Sequence, residues 1–133
     1  MNINDLQGIE PADGQKLAGI GIRTTEALLK KGASDKGRNA IAAGTGIPRE
    51  QLLRWVNLAD LFRISGIGPQ YAGMLEKAGV DTVAELRKRA AGSLYEKLLS
   101  ANQATHLVRK MPSEGQIENW IASAKKLPRI ISY

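Results

Sequence analysis

Leu61-Phe62-Arg63-Ile64-Ser65-Gly66-Ile67-Gly68-Pro69-Gln70-Tyr71-Ala72-Gly73-Met74-Leu75-Glu76-Lys77-Ala78-Gly79 is the stretch whose reading decides the fold. Apolar residues close one helix, Gly66-Ile67-Gly68 turns the chain, and Ala72 and Leu75 open the apolar face of a second helix. Glycine reaches backbone angles that side chains forbid, so the two glycines permit a tight corner while Ile67 plugs between the helices. Pro69 suits a first helical position, where a missing N–H costs nothing. Gly79 suits the left-handed residue that ends a helix. A corner of this kind leaves backbone amides exposed at the start of the second helix, an anion site strengthened by the helix dipole.

Working outward, the same pattern occurs earlier. Gly8-Ile9-Glu10-Pro11 matches Gly66-Ile67-Gly68-Pro69, and in that ungapped register Leu17 meets Leu75, Gly21 meets Gly79, Thr24 meets Thr82, Leu28 meets Leu86 and Lys30 meets Lys88. After an insertion, Gln51, Trp55 and Ala59 align with Gln116, Trp120 and Ala124, while Leu52 and Val56 align with Ile117 and Ile121. Two lone tryptophans in matching contexts read as a duplication. The expected organisation is a first, degenerate repeat over residues 1–60 and a second over 61–133. The two would be related by a pseudo-two-fold axis and form one globular domain, with both tryptophans in its core.

The fold class expected is all-α, with about seven or eight short helices. Leu52, Trp55, Val56 and Ala59 follow the spacing of a helical apolar stripe, as do Ile117, Trp120, Ile121 and Ala124. Leu94, Leu98 and Ala101 mark a further helix. Thr82-x-x-Glu85, Ser93-x-x-Glu96 and Ser113-x-x-Gln116 read as capping boxes, and Pro11, Pro48 and Pro69 as helix starts. No β-branched run alternates with polar residues, so no strands are expected.

The central stretch resembles the helix-hairpin-helix motif, in whose family the corner amides hold a nucleic-acid phosphate without reading sequence. Three features depart from that pattern. Gln70 and Tyr71 stand where a basic residue commonly follows the second glycine; Glu10 and Asp13 put carboxylates at the first corner; and only Met1 to Leu6 precede that corner. The whole chain also resembles a bacterial family, domain of unknown function 4332, grouped with helix-hairpin-helix proteins. That likeness rests on Thr45-Gly46-Ile47, Leu53-Arg54-Trp55-Val56-Asn57, Ala59-Asp60-Leu61, Gly66-Ile67-Gly68 with Tyr71-Ala72, Ala78-Gly79-Val80-Asp81-Thr82-Val83, Glu85-Leu86, Trp120-Ile121 and Ala124-Lys125. It implies the duplicated fold and no particular activity.

Composition narrows the function classes. Hydrophobic residues make up 43% of the 133 residues and charged residues 24%, the balance of a soluble globular protein. Cysteine is absent, which excludes disulfides and thiolate chemistry; with no signal peptide or membrane span apparent, a cytoplasmic location is expected. His106 is the only histidine, so neither a nitrogen- and sulfur-rich metal site nor a Gly-x-Ser-x-Gly hydrolase is expected. Gly19-Ile20-Gly21, Gly44-Thr45-Gly46 and Gly66-Ile67-Gly68 lack the strand and third glycine of a dinucleotide loop. No enzyme, cofactor or metal is expected.

Net charge is +6, with 9 basic and 7 acidic residues in 1–66 against 10 and 6 in 67–133. Ala42, Gly46, Leu52 and Trp55 loosely fit a helix-turn-helix whose second helix would offer Arg49, Gln51 and Arg54. The clusters Lys30-Lys31, Lys36, Arg38 and Arg87-Lys88-Arg89 read mainly as complements to helix C-termini. The expected function is sequence-independent nucleic-acid binding through the second hairpin by Arg63, Gly66, Ile67, Gly68, Gln70, Tyr71 and Lys77. The alternative is a protein-protein interaction adaptor on the same scaffold.

Overall fold

A computed structural model describes residues 1–133. The chain is all-helical: a 3-10 turn at Ile3–Asp5 is followed by α1 (Pro11–Gly19), α2 (Thr25–Gly32), α3 (Asp35–Thr45), α4 (Arg49–Leu61), α5 (Pro69–Lys77), α6 (Val83–Leu86), α7 (Ala91–Thr105) and α8 (Glu114–Lys126). The only extended pairing is an isolated bridge between Asn2 and Thr24. Two compact units divide the chain: Met1–Asp60 together with Ile130–Tyr133, and Leu61–Arg129.

In the first unit Leu17, Ile22, Leu28, Leu52, Trp55 and Val56 lie wholly out of solvent. Packing here tolerates no addition at Gly32, where a Cβ would lie 2.7 Å from Val56 Cγ2. Thr24 and Ser34 cap α2 and α3, their hydroxyls accepting from the amides of Ala27 (3.1 Å) and Gly37 (3.0 Å). Neither has Glu or Gln three residues on, so the capping-box pattern passes over both. Gly46 ends α3 in the left-handed region, φ +76°, its amide donating to Ala42 O at 2.8 Å.

Arg38 is 2% exposed. Its guanidinium donates to the carbonyls of Gly32 (2.8 Å), Ala33 (3.1 Å) and Ser132 (2.7 Å), and lies 5.8 Å from the Tyr133 ring centroid. The Ser132 amide returns a bond to Ala33 O at 2.8 Å. Arg38 thus holds the tail rather than belonging to a solvated basic face. At the other end of this unit the Met1 ammonium donates to both Glu26 carboxylate oxygens, at 2.8 and 3.1 Å, holding that carboxyl below its usual range.

The second unit has Ile64, Met74, Leu75, Val80, Leu86, Leu94, Leu98, Ile117 and Ala124 as its core, with Trp120 4% exposed. Thr82 caps α6 through the Glu85 amide, and Ser113 with Gln116 forms a complete capping box on α8. Ser93 differs from its capping-box reading. α7 begins two residues earlier, at Ala91, and the Ser93 hydroxyl donates back to Ala90 O. His106 closes α7 in the left-handed region, φ 53°.

Local geometry recurs, 58 positions on for α1 and α5 and 65 positions on for α4 and α8. Nine-residue α1 and α5 begin at Pro11 and Pro69, and thirteen-residue α4 and α8 begin at Arg49 and Glu114. Past α1, Gly21 (φ +87°) is followed by the Ile22 amide donating to Leu17 O at 2.9 Å. Past α5, Gly79 (φ +89°) is followed by Val80 donating to Leu75 O at 2.8 Å. Both are 6→1 helix-end bonds that a left-handed glycine makes available.

Candidate nucleic-acid interface

The corner after α4 is assembled from short turns. Ile64 donates to Leu61 O at 3.1 Å and Ile67 to Ile64 O at 3.2 Å, bending the chain toward α5. Gly66, exposed, takes φ +92°, a conformation L side chains rarely adopt. Ile67, 4% exposed, turns inward and anchors the corner, a burial worth about 2 kcal/mol.

Gly68 is the N-cap of α5, in extended conformation, and has no side chain to cap with. A Cβ built there meets nothing within 4 Å. Pro69 carries no N–H, and the first amide of the helix to find an acceptor is that of Ala72, which donates to Gly68 O at 2.9 Å. The amides of Gly68, Gln70 and Tyr71 donate to no group of the chain. Three uncommitted donors therefore stand at the positive end of a nine-residue helix, beside an open glycine.

Around them the expected site residues fall into distinct places. Gln70 is exposed next to the free amides. Tyr71 is half-buried: its hydroxyl donates to Lys110 O at 3.1 Å, and its ring meets Trp120 at 5.3 Å between centroids, tilted by 55°. Arg63 Nη2 donates to Pro128 O at 2.7 Å. Lys77 sits in the last turn of α5, about 13 Å along the helix from Gly68 at 1.5 Å per residue, and so lies apart from the amides.

Two contributions escaped the sequence reading. The Tyr71 hydroxyl bond ties the backbone of exposed Lys110, next to exposed Arg109, to the end of a side chain from the first turn of α5. Trp120 stands over the corner, its Nε1 3.3 Å from the position a Cβ would take on Gly66. Neither contact has a local signal, since the partners lie 39 residues (Tyr71 to Lys110) and 54 residues (Gly66 to Trp120) apart in the chain.

The first corner is built differently. Gly8 (φ +82°) faces Arg54, whose Nη1 would be 2.8 Å from a Cβ there and donates to Gln7 O at 3.4 Å. Glu10 occupies the N-cap of α1, exposed, and its carbonyl takes the Asp13 amide at 3.0 Å. Arg49, a second candidate groove reader, is paired with Asp35. Lys31 reaches Ile20 O at the end of α1 (3.5 Å), as Arg89 reaches Gly79 O past the end of α5 (3.2 Å). Arg87 donates to Leu127 O, and Lys88 lies 3.6 Å from Glu85. The basic clusters are thus largely engaged with helix ends and neighbours.

No helix is long and apolar enough to cross a membrane. The fold and the corner define an all-helical protein with an open, amide-lined glycine turn. The chain belongs to the family described as Domain of unknown function (DUF4332), whose sequence profile matches residues 7–127. No curated protein and no solved structure gives a significant match.

Proposed function

We propose that this chain is a non-enzymatic, cytoplasmic binding module made of two helix-hairpin-helix repeats, and that its second hairpin holds nucleic-acid phosphate without reading sequence. The single observation carrying this reading is the set of free amides at Gly68, Gln70 and Tyr71 beside an unobstructed Gly68. A phosphate oxygen accepts from such donors at a helix start without a lysine or arginine in the turn itself. Arg109 and Lys110 supply attraction from the flank, in place of the basic residue that Gln70 and Tyr71 displace. Backbone donors and flanking cations touch only the phosphodiester chain, so binding is indifferent to base sequence.

The recurrent geometry of α1 with α5 and of α4 with α8 supports the duplication. The two corners then have different chemistry, because Glu10 places a carboxylate where the second corner has open space. That carboxylate favours a second reading, in which the acidic corner docks a basic protein surface. Titration of the whole chain against duplex and single-stranded DNA at low salt tests the first reading. No binding, or binding unaffected by Gly68→Glu, refutes it. Capture of a specific basic protein from nuclease-treated lysate, lost with Glu10→Lys, would support the second.

A further inference from the structure

We propose that the indole N–H of Trp120 is a fourth donor of the second hairpin, completing its phosphate site from α8. The inference rests on the reading above and deepens it: it names a side chain through which this corner recognises an anion. Trp120 is 4% exposed, yet its Nε1 donates to no group of the chain. The nitrogen itself is not sealed with the rest of the ring: its N–H is left to solvent, where an anion oxygen can accept it. The unpaired Nε1 of Trp55 is sealed inside the first unit, whereas that of Trp120 faces exposed Gly66, 3.3 Å from the place of an absent Cβ.

Its orientation is fixed. The Tyr71 ring lies 5.3 Å from that of Trp120, and Tyr71 is itself tethered through its hydroxyl to Lys110 O. Tyr71 is also the third residue of α5, so the same residue offers a free amide to the corner and steadies the indole beside it. A phosphodiester has two non-bridging oxygens. With one held by the α5 amides, the other remains for the indole N–H, and the absence of a side chain at Gly66 keeps the approach open. Glycine at 66 then serves two ends, its positive φ and the clearance before Nε1.

The test uses Trp120→Phe, which keeps an aromatic ring against Tyr71 and removes only the N–H and part of the ring. A labelled DNA duplex is titrated at low salt with the full chain. A folded variant is expected to bind about tenfold more weakly than wild type, the scale of one hydrogen bond to a charged group. Binding within twofold of wild type would overturn the inference while leaving the hairpin reading intact. Wild-type protein that binds no DNA would overturn both. Should the variant fail to fold, 15N-labelled wild-type protein decides: its two indole N–H signals report Trp55 and Trp120 separately. Saturating DNA is expected to move the Trp120 signal and leave that of Trp55 in place. A stationary Trp120 signal would contradict the proposal.

Discussion

The guanidinium of Arg38 donates to the carbonyl of Ser132 at 2.7 Å, fastening the end of the chain to α3 from a side chain only 2% exposed. The same group also satisfies the carbonyls of Gly32 and Ala33. Arg38→Met should cost about 2–4 kcal/mol, because buried carbonyls lose charged donors together. Arg38→Lys should recover little of it, since an ammonium cannot reproduce the planar fork. Urea unfolding followed by circular dichroism measures both.

Two glycines in helices should respond to alanine with opposite signs. At Gly19 a Cβ meets nothing, so Gly19→Ala should stabilise by roughly 0.5–1 kcal/mol through higher helix propensity. At Gly37 a Cβ would lie 2.0 Å from the Lys31 carbonyl oxygen, which is backbone and cannot swing away. Gly37→Ala should therefore destabilise by about 1–3 kcal/mol despite the better propensity. Thermal melts of the two variants, run side by side, read the difference.

The corner glycines should separate stability from binding. Gly66→Ala forces a side chain into φ +92° next to Trp120 and should lower stability by about 1–2 kcal/mol. Gly68→Ser meets open space and supplies the missing N-cap, so the fold should gain a few tenths of a kcal/mol. Its hydroxyl oxygen would take an amide that the phosphate needs, and DNA affinity should fall. Paired melting and binding curves test the opposite movements.

Arg109 and Lys110 should matter for salt dependence. Each contributes a flanking charge beside α5, so Arg109→Ala and Lys110→Ala should each reduce the slope of log K against log salt by about 1, on every DNA sequence alike. Lys77→Ala, at the far end of α5, should leave that slope unchanged. Anisotropy titrations across a salt series give the slopes directly.

What could be read from the sequence was whatever is local. Pro69 at a helix start, Gly79 past its end, the Ser113–Gln116 box and the apolar stripes carrying Trp55 and Trp120 all depend on neighbours within a turn or two, and the helices form there. Arg38 was legible only as one member of a basic cluster, because its burial requires a tail more than ninety residues away. Lys77 looked close to the corner in sequence, but a helix of nine residues carries it off. Trp120 was recognisable as a core residue. That its nitrogen would face Gly66 depends on how α8 lies against the corner, a long-range placement no periodicity encodes.

The most direct measurement of the account is a low-salt titration of a fluorescent DNA duplex with wild-type protein and with Gly68→Glu. Gly68 faces open space, so the glutamate should fold without strain while its carboxylate meets the free amides and repels phosphate. Saturable wild-type binding, equal on unrelated sequences and weakened at least about tenfold by Gly68→Glu, is the predicted result. Equal binding by the two proteins, or none by the wild type, would contradict it.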